Sequence, residues 1–341
     1  MKIQILCTLG PRSLDGDVIT GLDAQGVDLF RINLSHTPLD AVESAICLVR
    51  RYSSTPICLD TEGAQVRCGP MEDGVVLERG ERMELTAEDV VGTARRLTLW
   101  PSSIFPALEV GSVLSIDFDG AFVKVTDVTG DAAAAEVVRS GRVRSNKAVT
   151  AHPPVELPPL SEKDLAAAAI GARRGVMHYA LSFASAAEHV GHLRTLAPPG
   201  SQVIAKIESR AGVRNMDDII YAADAVLIDR GDLSREIPIE HVPYFQKAIV
   251  RRANRWNRPA YVATNLLESM VTNGVPTIAE SNDIANTLID GVHGLVLAAE
   301  TAIGVDPVGV IAMVRRAISA FEQETATHLF DEEARALEAV A

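Results

Sequence analysis

With 341 residues, 47% hydrophobic content and a mean hydropathy of +0.14, the chain can supply one large domain or two smaller ones with a substantial core. The formal charge of -13 argues against general nucleic-acid binding, which needs a basic surface, and no apolar stretch reaches the roughly 20 residues of a membrane span. Aromatic residues make up only 4%, so Ala, Val, Leu and Ile must do most of the packing.

Met1-Lys2-Ile3-Gln4-Ile5-Leu6 runs into Gly10-Pro11 and is too short for a signal peptide. The four cysteines, Cys7, Cys47, Cys58 and Cys68, contain no CxxC pair, so a zinc site or a disulfide framework is not expected. Both observations predict a cytoplasmic protein with reduced thiols.

Eight short apolar runs follow one another: Ile3–Leu9, Val27–Leu34, Pro56–Asp60, His178–Phe183, Gln202–Ile207, Ala225–Ile228, Ala260–Ala263 and Gly294–Ala298. Most are rich in Val, Ile, Leu and Ala, as strands buried on both faces require. Amphipathic segments at Asp15–Ala24, Pro38–Arg51, Glu162–Arg174, Ala184–Leu196, Ile239–Asn254, Ala279–Ile289 and Val308–Glu322 predict helices between most of them. Repeated strand–helix alternation predicts an α/β fold, a (β/α)8 TIM barrel.

The rhythm breaks between Cys68 and Thr150. Short runs such as Arg82–Thr86, Val113–Ile116, Ala121–Val128 and Ala133–Val138, punctuated by Asp73-Gly74, Arg79-Gly80 and Thr129-Gly130, predict a small antiparallel β module. The expected organisation is therefore a catalytic barrel at 1–67 and 151–330, with a β-rich lid domain at 68–150 inserted after barrel strand 3. A short charged, Ala-rich tail at 331–341 follows. An insertion there leaves the barrel at the end where barrel active sites lie, which suits a lid that excludes water.

Chemistry in such a barrel belongs at the C-terminal strand ends. Arg31, Asn33 and Ser35 alternate after the second run and share a face if the strand extends that far, as do Lys206 and Glu208 after the fifth. Asp60-Thr61 end the third, Arg230-Gly231-Asp232 follow the sixth and Thr264 the seventh. Glu208 and Asp232 suit a hard divalent cation, Arg31 and Lys206 an anionic group, and Asn33, Ser35, Asp60 and Thr61 a monovalent cation. Taken alone, Thr264 reads more readily as a helix N-cap before Asn265-Leu266-Leu267-Glu268.

These segments resemble the pyruvate kinase family. Ile5–Pro11 is similar to its opening strand and Arg31–His36 to its R-x-N-x-S-H motif. Leu59–Arg67 (LDTEGAQVR), Leu157–Asp164 (LPPLSEKD), Ala205–Glu208 (AKIE), Arg230–Leu233 (RGDL), Ala263–Met270 (ATNLLESM) and Ala299–Gly304 (AETAIG) have counterparts in the same order. The resemblance implies a phosphotransferase acting on phosphoenolpyruvate and ADP, or on pyruvate and ATP in reverse. Arg31 would hold the phosphoryl group, and Lys206 would stabilise it in flight together with the enolate left behind. Glu208 and Asp232 would carry Mg2+ or Mn2+. Asn33, Ser35, Asp60 and Thr61 would form a K+ site. The backbone of Gly231 and Asp232 would receive the substrate carboxylate, Thr264 would lie near the face where enolpyruvate is protonated, and Asn33, His36, Arg67 and Lys163 would contact nucleotide.

Several residues depart from the family pattern. Gln65 stands where the family has Glu, linked to potassium dependence, or in some members Lys; a neutral Gln is neither. Glu62 replaces a Lys, Ser185 and Ile278 each replace an Arg, Ile303 a Lys and Ser234 a Gly. Loss of basic residues would weaken attraction for nucleotide or alter subunit contacts. That leaves an alternative: a divergent metal-dependent enzyme of the aldolase, lyase or decarboxylase type, working on pyruvate or another oxo acid through an enolate without nucleotide. The family's C-terminal effector domain has no counterpart in the sequence, so a tetramer of the usual form is less expected and a homodimer through barrel helices stays open.

Overall fold

The computed structural model describes residues 2–63, 65–117, 120–153, 155 and 157–325. The proposed tail at 331–341 and residues 326–330 lie outside them. The chain divides into two compact units, 1–63 with 160–341, and 64–159.

The first unit is a closed barrel of eight parallel strands. In chain order these are Gln4–Leu9, Leu29–Asn33, Ile57–Asp60, His178–Leu181, Gln202–Lys206, Ala225–Asp229, Ala260–Ala263 and Gly294–Leu297. Each pairs with its neighbour in sequence, and the eighth closes on the first through Gln4 opposite Gly294. Gly294 permits that closure, because a Cβ there would sit 2.6 Å from the Gln4 carbonyl oxygen.

Side chains along each strand alternate between two cores. One parity packs outward against the helices, with Ile5, Cys7, Phe30, Ile32, Leu59, Leu181, Val203, Ala205, Val226 and Ile228 among its members. The other fills the barrel interior with Leu6, Leu29, Cys58, Ala180, Ile204, Ala225, Leu227, Tyr261, Ala263 and Val296. Following that inward parity one step toward the strand ends converts apolar residues into polar ones: Leu6 to Thr8, Leu29 to Arg31, Cys58 to Asp60, Ala180 to Ser182, Ile204 to Lys206 and Leu227 to Asp229. The packed interior is thus the floor of a polar layer.

The expected helices form at Gly16–Ala24, Leu39–Tyr52, Glu162–Arg173, Ala187–Leu196, Val242–Arg255, Ile278–Ile289 and Pro307–Glu324. Local chemistry sets several starts. Ser161 with Asp164 and Thr277 with Glu280 form capping boxes, and Asp15 and Asp306 cap with carboxylates. Four short α-helices among the described residues have no counterpart in the sequence expectations: Arg210–Arg214 and Met216–Ala222, broken at Asn215, and Arg230–Leu233 and Ala299–Ala302. Each is too short to display an amphipathic period.

In the second unit, seven strands close into their own barrel among the described residues. Its strand pairings among the described residues are antiparallel except for Arg82–Thr86 with Arg96–Trp100, which run parallel, as does the isolated bridge between Met71 and Gly92, so the expectation of an antiparallel module needs that correction. Gly130 at φ 58° turns the hairpin between Ala121–Thr129 and Ala132–Arg139, and Gly74 and Gly80, at φ 77° and 89°, serve turns between strands that do not pair with each other. The unit begins at 64 rather than 68 because Val66–Cys68 pairs with Arg96–Trp100 and with Ala148–His152. Arg67 therefore lies in this unit. No helix among the described residues is long and apolar enough to cross a membrane.

Candidate active site

The polar layer is built from the ends of the strands just named. Arg31 is 3% exposed; its Nε donates to Asp60 Oδ2 (2.7 Å), its Nη1 donates to Thr8 Oγ1 (2.7 Å), and its Nη2 lies 2.5 Å from the same Asp60 oxygen. The fork is thereby locked. Burial opposes its charge, but Asp60 and Asp229 outweigh that and raise its pKa.

Lys206, 4% exposed, donates to Ser182 Oγ (3.0 Å) and has carboxylate oxygens of Glu208, Asp60 and Asp229 at 3.2, 3.6 and 3.8 Å. Burial would favour the neutral amine, yet the three carboxylates more than offset it, so its pKa is raised. Lys206 is a fixed cation at any ordinary pH and is not a general base.

Glu208, 1% exposed, accepts a hydrogen bond from Phe183 N at Oε1 (2.8 Å). Its Oε2 is buried and accepts no hydrogen bond from the described residues, although Lys206 Nζ lies at ion-pair distance. The two observations agree if the attraction is ionic without donor alignment. Burial pushes the Glu208 carboxyl up to about 8; Lys206 works against this, and Asp232, Asp229 and Asp60 work with it.

Asp229 is a residue the sequence reading passed over. It is 4% exposed and caps the short helix Arg230–Leu233, accepting from Asp232 N at Oδ1 (3.3 Å). Glu208, Asp229 and Asp232 each present an oxygen within 4.8 Å of the others. Asp232, the outermost, is also 3.0 Å from Arg235 Nη1. Hard oxygen donors of this kind fit Mg2+ or Mn2+, and a buried carboxylate oxygen lacking a hydrogen bond is an acceptor such an ion would satisfy.

Thr264 is not the helix N-cap its surroundings suggested. It sits at φ 69° with Asn265 at φ 54°, and the next helical turn begins only at Glu268. Arg230 holds this unusual pair, donating to the Thr264 carbonyl from Nε (3.1 Å) and Nη2 (2.7 Å) and to the Asn265 carbonyl (3.1 Å), while Nη1 binds Asp283 (2.7 Å). Left-handed backbone at a β-branched residue needs such support. Thr264 Oγ1 accepts from Gly231 N (2.8 Å) and offers its proton to the Ala263 carbonyl (2.6 Å) or to Asp229 Oδ1 (3.1 Å). The N–H groups of Gly231 and Asp232 both have partners already.

The remaining expected residues divide into two groups. Asp60 and Thr61 join the layer: Thr61 Oγ1 accepts from Ser182 N (2.9 Å), and Ser182 Oγ donates to the Thr61 carbonyl (2.6 Å). Ser182, uncharged and inside an apolar run, gave no sequence signal. Asn33 Oδ1 accepts from Ser35 N (2.9 Å), and His36 is exposed just beyond. Lys163 Nζ donates to the Leu34 carbonyl and lies 3.2 Å from Glu62 Oε2. Arg67 is in the second unit, where its Nη1 donates to the Asn146 carbonyl (3.1 Å).

The family model for the pyruvate kinase barrel domain matches residues 1–311. The chain belongs to the pyruvate kinase family. It is 33% identical over 336 residues to a pyruvate kinase of Geobacillus stearothermophilus, a match covering 94% of this chain and 57% of that relative. It is 34% identical over 330 residues to a pyruvate kinase of Methylorubrum extorquens, covering 95% and 69%. With a pyruvate kinase of Chlamydia trachomatis the identity is 32% over 340 residues, covering 96% and 70%. The chain thus spans from just over half to about two thirds of the length of these pyruvate kinases.

Proposed function

We propose that this chain transfers a phosphoryl group between phosphoenolpyruvate and ADP. The observation that carries the reading is Lys206, a permanently charged buried ammonium set between Glu208, Asp60 and Asp229. Phosphoryl transfer asks the protein mainly for alignment and charge neutralisation, and a fixed cation beside acidic ligands answers that need.

In this reading Lys206 stabilises the phosphoryl group in flight and the negative charge left on the oxo acid. Arg31, anchored by Asp60 and Thr8, presents its remaining guanidinium edge to the phosphoryl oxygens. Glu208 and Asp232 would hold Mg2+ or Mn2+, which when bound supplies further positive charge to substrate oxygens. Reception of the substrate carboxylate by the backbone of Gly231 and Asp232 requires their N–H groups to exchange Thr264 Oγ1 and Asp229 Oδ1 for the incoming oxygens. That exchange frees the Thr264 hydroxyl to act near the enol carbon. Asn33, Ser35, Asp60 and Thr61 form the proposed K+ site; Asn33, His36 and Lys163 are the nucleotide contacts proposed in the first unit, and Arg67 is the one proposed in the second. A coupled assay for pyruvate from phosphoenolpyruvate, ADP and Mg2+, with and without K+, tests the reading; turnover supports it, and no turnover under any of these conditions rejects it.

One observation favours a second reading. Lys163, a proposed nucleotide contact, already faces Glu62 of the same unit at 3.2 Å. A chain that neutralises its own nucleotide-binding lysine suits a metal-dependent enzyme acting on an oxo acid through an enolate without nucleotide. Exchange of pyruvate methyl protons with deuterium in the absence of nucleotide, with no phosphoryl transfer on adding ADP, selects this alternative.

The assembly proposed is a homodimer through barrel helices, and the location proposed is cytoplasmic. Light scattering on the purified chain checks the first.

A further inference from the structure

Two buried cations, Arg31 and Lys206, face three buried carboxylates, Asp60, Glu208 and Asp229, with Asp232 at the rim. Asp60 is engaged by Arg31 through the short contacts already described. Lys206 is shared among three acids, none closer than 3.2 Å. Even with Arg235 at 3.0 Å from Asp232, negative charge is in excess where Glu208, Asp229 and Asp232 converge. A group of acids alone would signify little. Here the buried Glu208 Oε2, which accepts no hydrogen bond, belongs to the same group and marks it as a place for a cation.

Asp229 is oriented before any ion arrives. Its Oδ1 accepts from Asp232 N and lies 3.1 Å from the Thr264 hydroxyl, whereas its Oδ2 lies 3.8 Å from Lys206 Nζ. We propose that Asp229 is a third carboxylate ligand of the divalent cation, bonding it through Oδ2 beside Glu208 and Asp232. The inference rests on the metal-dependent reading above. Affinity in oxygen-donor sites follows the number of charged ligands, and Mg2+ commonly takes one or two carboxylates and completes its sphere with water and substrate oxygens. A third carboxylate makes the site competent to hold the ion with no substrate present.

The test is substrate-free Mn2+ binding, followed by isothermal titration and by loss of the free-ion electron paramagnetic resonance signal, in wild type, Asp229→Asn and Glu208→Gln. Asparagine keeps the cap and the Thr264 contact while removing the charge; if it fails to fold, Asp229→Ser, which also caps, replaces it. The expected result is a dissociation constant raised by roughly tenfold or more in both single variants, with a matching loss of the Mn2+-induced rise in melting temperature. Wild-type affinity in Asp229→Asn with binding lost in Glu208→Gln overturns this inference and leaves the two-carboxylate site standing. Wild-type affinity in both overturns the metal reading itself. An anomalous Mn2+ peak in crystals bonded to Glu208 and Asp232, with Asp229 not bonded to it, also overturns the inference.

Discussion

Lys206 Nζ lies 3.2 Å from Glu208 Oε2, yet that oxygen accepts no hydrogen bond. In a layer walled by the barrel interior, an ion pair without aligned donors does not fully compensate the loss of hydration. Glu208 accordingly keeps a raised proton affinity, while Lys206, serving three acids, stays charged. The arrangement is poor as a structural salt bridge and well suited to accept one more cation.

That raised affinity sets a pH dependence. The Glu208 carboxyl moves from its ordinary 4.5 to about 8 on folding, so between those values the folded state binds more protons than the unfolded one. Its contribution to stability is therefore fully present below the lower value and is lost as pH rises through the upper. The metal-free protein should lose melting temperature across this window, more steeply than Glu208→Gln, which has no proton to release there. Mn2+ should restore more at pH 8 than at pH 6, because it competes with that proton. Differential scanning calorimetry of the two proteins, with and without Mn2+, reads all three effects, and parallel pH profiles for wild type and variant contradict the assignment.

Asp60 is the partner of a buried guanidinium and a neighbour of a buried ammonium. Asp60→Ala strands both. Loss of one member of a buried pair costs about 3–5 kcal/mol, so the variant should unfold at distinctly lower urea, and a shift under 1 kcal/mol would mean the pair behaves as if solvent-exposed.

How the sequence announced this layer depends on which signal each residue carried. Arg31 with Asn33 and Lys206 with Glu208 were visible because charge falls on the inward parity where an apolar strand ends, and no core residue explains that. Asp229 shares the same parity with Leu227 but was obscured by its neighbours, since Arg230-Gly231-Asp232 attracted the acidic assignment. Ser182 is a small hydroxyl in an apolar run and has no signature of its own. Thr264 was open to a capping interpretation because a left-handed backbone leaves no mark in composition; the guanidinium that enforces it, Arg230, comes from another strand end. The barrel strands were legible from apolar runs alone, whereas Val66–Cys68 joined the second unit through pairings distant in sequence.

Arg230 makes a specific kinetic prediction. Its bonds to the Thr264 and Asn265 carbonyls and to Asp283 fix the hydroxyl opposite Gly231 N. Lysine cannot reproduce a planar fork with that many directed donors. Arg230→Lys should lower kcat by about 100-fold, the scale of misplacing a reacting group by an ångström, with a much smaller change in KM. A change confined to KM would show that Thr264 position does not matter to the chemical step.

The most direct test of the central claim is single-turnover phosphoryl transfer between phosphoenolpyruvate and ADP in wild type and Lys206→Met, with folding and Mn2+ binding of the variant verified first. Methionine fills the space without the charge. Transfer is expected in the wild type, with a loss of at least about 100-fold in the variant, the scale of removing one preorganised donor from a developing charge; transfer at the wild-type rate in Lys206→Met would contradict the role given to this ammonium.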